Sequence, residues 1–213
     1  MVDYGEGIKR PFQDWKKFAL GTLLAMIPII SFISAGYALK CAKITMGKKK
    51  NKYSLPEWDD IGGFFVKGFS AFIINLIYSL AGMVLIGYVL AKAILAMLAN
   101  QMAFTDDLAF AFAQNVPLLL AGIVLLLIAA FISPLAIMNY VKYDKFSAAF
   151  KFSEILSKIN GAYILTWIVA IVFSVVIVLL FSVIQIPLIG GASLATFWLM
   201  ITMYTWFAEA YMS

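Results

Sequence analysis

From Val116 to Val141 the chain runs for 26 residues, VPLLLAGIVLLLIAAFISPLAIMNYV, without one charged side chain, and the run is closed by Lys142 and Tyr143. About 20 such residues, each rising ~1.5 Å along a helix, cross a hydrocarbon core of ~30 Å. In water this surface would need a very large core around it; in lipid it needs nothing. Hydrocarbon offers no hydrogen-bond partner to a peptide group, so only helices and closed barrels span it. Barrel strands alternate apolar and polar positions, and neither LLLAGIVLLLIAA nor the later IVAIVFSVVIVLL does so. The sequence therefore predicts an all-α, polytopic helical membrane protein. Composition agrees where it discriminates: 64% of the 213 residues are hydrophobic and 13% charged, against roughly 45–50% and 25% in soluble domains.

The placement of the basic residues refines the topology. Lys9, Arg10, Lys16 and Lys17 precede the first apolar stretch, 18–39, and Lys40, Lys43, Lys48, Lys49, Lys50 and Lys52 follow it. Basic loops collect on the cytoplasmic side. A single crossing of 18–39 would separate these two groups, whereas a hairpin turning at Pro28 keeps both inside. Proline ends or kinks a helix at the preceding residue, and Ile27-Pro28-Ile29-Ile30 is echoed by Ile186-Pro187-Leu188-Ile189 between the last two apolar runs. The hairpin reading gives helices from about Pro11 to Ile27 and about Ile30 to Met46, each ~24 Å long and short for a full crossing.

Further apolar helices are expected at about Phe64–Leu90 with an extension to Leu98, at 116–141, at 162–184 and at 188–211. The total is about six, or five spans if Pro28 lies within a single helix. Residues 1–213 are read as one integral membrane domain, with basic cytoplasmic loops at 47–63 and 142–160. The segment 100–115, with Asp106 and Asp107 and no basic residue, suits the opposite face. Both ends of the chain fall on the cytoplasmic side, in a multi-pass arrangement in the plasma membrane, and no cleaved signal peptide is expected. A weak internal repeat relates 18–99 to 116–184. Tyr204, Trp206 and Tyr211 with Glu209 read as an aromatic belt at the inner end of the last span.

Candidate functional positions follow from the polar residues. Lys48 to Lys52 holds four lysines in five positions, a patch suited to anionic lipid headgroups and equally a topology signal. Glu57, Asp59 and Asp60 suggest a cation site, but Ser54-x-x-Glu57 also spells a capping box, and acids complement a helix N-terminus. Asn75 lies inside a span, where an amide either lines a pathway or bonds to a neighbouring helix. Over 142–160, Ser147, Lys151, Glu154 and Lys158 fall on one face of an amphipathic helix expected in the interface. Cys41, next to Lys40 near a membrane edge, offers a palmitoylation site or serves as a small packing residue.

The IPI step at 27–29, Gly36-Tyr37, the lysine-rich stretch, Leu55-Pro56-Glu57-Trp58-Asp59-Asp60 and Phe65-Val66-Lys67-Gly68 together resemble the uncharacterised prokaryotic, largely archaeal, membrane family catalogued as domain of unknown function 4013. The resemblance implies a multi-spanning membrane protein and no established activity, so it carries over no site residues.

Catalytic chemistry finds little purchase. The chain has no histidine and one cysteine, which excludes an internal disulfide and the usual Cys/His zinc site. It has no HExxH, no GxxxxGK and no serine nucleophile with a visible base. The span centres carry no carboxylate, which counts against proton or sodium coupling. The expectation is a protein that is not an enzyme and has no cofactor: a membrane scaffold, shaping or assembly component, with a small passive channel or lipid-handling permease as the alternative. Its expected partners are the lipid bilayer and either a second copy or another membrane protein, with no nucleic acid.

Overall fold

A computed structural model describes residues 2–47, 51–100, 113–183 and 188–213. The helices are Tyr4–Lys9 (α1), Trp15–Ala25 (α2), Ser31–Gly47 (α3), Ile61–Asn100 (α4), Val116–Tyr143 (α5), Phe152–Leu156 (α6), Gly161–Val183 (α7) and Leu188–Met212 (α8), with 3-10 turns at Arg10–Gln13 and Phe146–Phe150. They form two compact units, one of residues 1–73 with 134–213 and one of residues 74–133.

The break at Pro28 is present. The Asp14 carboxylate accepts from the backbone N–H groups of Lys16 and Lys17 and starts α2. The chain leaves the helix after Ala25, turns over residues 26–30, and resumes at Ser31, whose hydroxyl donates to Pro28 O. The two helices pack on each other, and the Ser34 hydroxyl donates to Gly21 O at 2.7 Å. Pro11 falls in the preceding 3-10 turn, so α2 is shorter than the sequence suggested. Its 11 residues reach ~17 Å and cannot cross ~30 Å of hydrocarbon.

Among the described residues three helices, not six, are long and apolar enough to cross a membrane: Ile61–Leu95, Val116–Tyr143 and Gly161–Phe181. The shortfall has physical causes. Helix α2 is too short, and α3 carries Lys40 and Lys43 within its 17 residues. Helix α8 has the length and is not among the three, and it packs against α1, α2, α3 and α7. Its Phe197, Trp206, Phe207 and Tyr211 are buried in protein rather than set out as an aromatic belt. Helix α8 runs antiparallel to α7: Tyr163 meets Phe207, and Phe173 meets both Trp198 and Trp206. These three long apolar helices instead turn large apolar side chains outward, among them Leu80, Leu127 and Leu179, as helices solvated by lipid do.

Two glycines allow a close crossing in the larger unit. A Cβ on Gly36 of α3 would collide with the Phe64 carbonyl, and one on Gly68 of α4 with the Phe32 carbonyl. Around this crossing Phe18, Tyr37, Phe64, Phe197 and Ile201 form the core. In the smaller unit Gly82 and Gly122 play the same part, a Cβ on Gly82 lying 2.8 Å from Gly122 O.

The segment 142–160 is not one amphipathic helix. Helix α5 runs on through Pro134 to Tyr143, Asp144 takes a left-handed conformation with φ of 51°, and a 3-10 turn and the five-residue α6 follow. A left-handed residue ends a helix, so Ser147 falls in the 3-10 turn, Glu154 in the five-residue helix and Lys151 and Lys158 outside both, and no single helical face holds the four.

Candidate functional site

The most enclosed polar site centres on Arg10, whose side chain is fully buried at the junction of α1 with the 3-10 turn. Its Nη1 donates to Thr45 Oγ1 and Thr205 Oγ1, each at 2.8 Å. Its Nη2 donates to Cys41 O at 3.0 Å and Ser54 O at 2.9 Å. One planar fork thus ties the first segment, α3, the loop after α3 and α8 together. Thr205 passes its own proton to Ile201 O at 2.7 Å. Thr45 Oγ1 lies 3.1 Å from both Cys41 O and Lys52 O, and its single proton serves one of them at a time. Among the described residues Nε has no partner. Burial pushes the guanidinium below its usual pKa, an effect opposed by the nearby Cys41, Tyr37, Tyr53 and Glu209. Cys41 is itself fully buried, which removes its thiol from the reach of acyl transfer.

Glu209, near the end of α8, anchors the neighbouring layer. Lys52 Nζ and the Tyr53 hydroxyl both donate to Oε1 at 2.6 Å, and the Asp3 backbone N–H donates to Oε2 at 2.8 Å. The hydrogen bond to Glu209, then that to Tyr53, raises the Lys52 pKa. Burial, followed by the same carboxylate, pushes the Tyr53 hydroxyl up to about 12. Of the four lysines expected to face lipid headgroups, Lys52 is therefore engaged within the protein; Lys48, Lys49 and Lys50 lie outside the described residues, as do the Ile186-Pro187 step and Asp106-Asp107.

The acidic string does not converge on a cation. Residues 54–60 are non-helical and strap across α3: Trp58 stacks on Tyr37 with ring centroids 4.0 Å apart, and the Tyr37 hydroxyl donates to Pro56 O at 3.0 Å. Glu57 pairs with Lys17 at 2.5 Å, Asp59 is exposed, and Asp60 accepts from Gly63 N at 2.9 Å. The helix cap is thus Asp60, not Ser54, because the Tyr37 stack holds Trp58 outside the helix. Asn75 lies on the exposed face of α4 and has no hydrogen-bond partner among the described residues. No group of three or more His, Cys, Asp or Glu side chains suited to a metal is present among those residues.

Lys151, Glu154 and Lys158 are brought together, though not by helical spacing. Glu154 Oε1 accepts from the Tyr143 hydroxyl at 2.5 Å and lies 3.7 Å from Lys142 Nζ. Asn139, buried in α5, donates to Ala148 O at 2.8 Å and accepts from the Tyr211 hydroxyl at 2.5 Å. The Tyr143 hydroxyl is the main cause of the lowered Glu154 pKa, helped by Asn139, Lys142 and Lys151 against partial desolvation. Lys43 in the C-terminal half of α3 also pairs with Asp144, so that end of α3 lies beside the segment 142–160.

The profile of a family described as "Protein of unknown function (DUF4013)" matches residues 19–190. The chain belongs to the DUF4013 family. This is a family of membrane proteins, in keeping with the three helices long and apolar enough to cross a membrane. The chain is also similar to an uncharacterised protein of Methanocaldococcus jannaschii, 31% identical over 179 residues, which cover 80% of this chain and 54% of that protein. The chain thus spans about half the length of the curated relative it matches. No solved structure matches it.

Of the residues that tie this DUF4013 chain together, the sequence offered Arg10 only as a topology charge and Glu209 only as part of an aromatic belt, and it did not single out Thr45 or Thr205. One signal was available: Arg10 is the single arginine beside fifteen lysines, and a guanidinium presents a rigid fork of donors that an ammonium lacks. The threonines gave no signal, since a hydroxyl on an apolar helix usually bonds to its own backbone.

Proposed function

We propose that this DUF4013 protein is a non-catalytic assembly or scaffold component of the plasma membrane, with its basic loops and both ends of the chain on the cytoplasmic side. Asn75 carries the reading. It sits eight residues, about 12 Å, beyond Lys67 and well short of Lys92, so hydrocarbon surrounds it. A polar amide in hydrocarbon is costly until it finds a hydrogen-bond partner, and membrane helices find one across an interface. A second copy of the chain, or another membrane protein, supplies that partner. The tying of Arg10 and Glu209 by intramolecular bonds favours a rigid platform over a moving transporter, and the short α2–α3 hairpin suits a one-leaflet wedge that shapes the membrane.

Counting fluorescently labelled copies in liposomes by stepwise photobleaching tests this. Association that Asn75→Leu weakens, with helical content kept, is the expected result. Monomers throughout, together with solute flux that Asn75→Leu abolishes, would instead establish a passive channel.

A further inference from the structure

Helix α5 ends at Tyr143 and α7 begins at Gly161, and both are spans, so residues 144–160 lie at one membrane face. On that face three ammonium groups converge on two tyrosine rings. Lys142 Nζ lies 4.8 Å from the Tyr143 ring centre and 5.2 Å from that of Tyr211. Lys151 Nζ is 4.9 Å from the Tyr143 ring, and Lys158 Nζ is 5.0 Å from the Tyr211 ring. The rings are themselves fixed, Tyr211 by Asn139 and Tyr143 by Glu154.

The charges do not balance. Glu154 is the one carboxylate in the cluster and already serves Lys142 and the Tyr143 hydroxyl, while Lys151 and Lys158 form no ion pair among the described residues. Three lysines against one glutamate leave the cluster two charges positive. Like charges held close on a surface attract an anion of matching size, and here aromatic faces keep the ammoniums from dispersing into solvent. Phe146, Phe152 and Leu156 stand exposed on the same segment. Lysines beside exposed aromatic and aliphatic side chains suit the boundary between headgroups and acyl chains.

We propose that Lys142, Lys151 and Lys158 hold the phosphate of an anionic phospholipid between them, with Phe146, Phe152 and Leu156 seated among its acyl chains. This site is separate from the lysine run 48–52 and stands whether or not the protein is an assembly component.

Native mass spectrometry of the full chain in a non-ionic detergent, titrated with phosphatidylglycerol or phosphatidylcholine, tests it. The expected result is preferential retention of phosphatidylglycerol. A lysine near an anionic lipid surface contributes about five-fold in affinity, so the pair Lys151→Gln and Lys158→Gln weakens retention about 25-fold, and Lys151→Gln alone about five-fold. Lys145→Gln, on the same segment but outside the cluster, changes nothing, and the pair of Lys→Arg replacements retains binding. Equal retention of the two lipids would overturn the proposal, as would an equal loss with Lys145→Gln. Displacement of phosphatidylglycerol by inorganic phosphate alone would also overturn it, by assigning the cluster to a soluble phosphate.

Discussion

Replacing Thr205 by valine removes one oxygen from the Arg10 site and leaves the packing almost unchanged. Thr205 Oγ1 accepts from Arg10 Nη1 at 2.8 Å and donates to Ile201 O at 2.7 Å. The Ile201 carbonyl keeps its place in the α8 ladder, so losing the hydroxyl costs it little. Arg10 is the loser: Nη1 is left with Thr45, and Nε has no partner among the described residues to compensate. A buried donor without an acceptor costs about 1–3 kcal/mol, towards the upper end when it is charged, so Thr205→Val is expected to cost about 2 kcal/mol. Arg10→Met removes the charge and its desolvation penalty but strands Ser54 O, at ~1–3 kcal/mol, while Cys41 O keeps its place in the α3 ladder and its contact with Thr45. With methionine at position 10, Thr205→Val has no donor left to strand and costs under ~0.5 kcal/mol. The double-mutant cycle, from unfolding of all four proteins in one detergent, therefore yields a coupling of about 2 kcal/mol, roughly 30-fold. Effects that add to within ~0.5 kcal/mol would show that Arg10 and Thr205 do not share a buried bond.

Acid and base act on different parts of the larger unit. Glu154 has a lowered pKa in the folded chain, so its stabilising contribution is present above the ordinary carboxylate pKa of ~4.3. It is lost as pH falls through the lower folded value, and hydrogen exchange of 144–160 in acid should speed accordingly, an acceleration that Glu154→Gln abolishes. Lys52 has a raised pKa, so its contribution is complete below the ordinary lysine pKa of ~10.4 and fades as pH rises towards the folded value. Exchange at residues 51–54 should therefore accelerate in strong base in the wild type but not in Lys52→Met. Gly36→Ala would drive a Cβ into the Phe64 carbonyl; overpacking of this kind costs about 1–3 kcal/mol, read as a lowered unfolding midpoint, while Gly47→Ala, with open space around it, should be neutral.

Much of the architecture was legible because it depends on patterns the sequence states outright. The uncharged run 116–141 fixed α5, and Pro28 between two basic segments marked the α2–α3 turn. Helix α8 was legible as an apolar helix but not as one buried in protein, because lipid and a protein core make the same demand on such a surface. Nothing in LATFWLMITMY says which of the two surrounds it, and only Glu209 at its end hinted at protein. The segment 142–160 failed for another reason. Its lysines and Glu154 do share a surface, but a left-handed turn at Asp144 and the faces of Tyr143 and Tyr211 bring them together, not a helical period. The Arg10 site was out of reach because its partners are separated by up to 195 positions in sequence and two of them are backbone carbonyls, which leave no mark in composition.

Helices α4, α5 and α7 are expected to stand in hydrocarbon. Spin labels placed one at a time at Leu80, Leu127 and Leu179, each exposed and each on a different span, read this directly in lipid nanodiscs through relaxation by oxygen and by a water-soluble nickel chelate. Oxygen should relax all three strongly and the chelate scarcely at all, with the opposite pattern at exposed Lys145. Strong relaxation by the chelate at any of the three would put that helix in water and contradict the account.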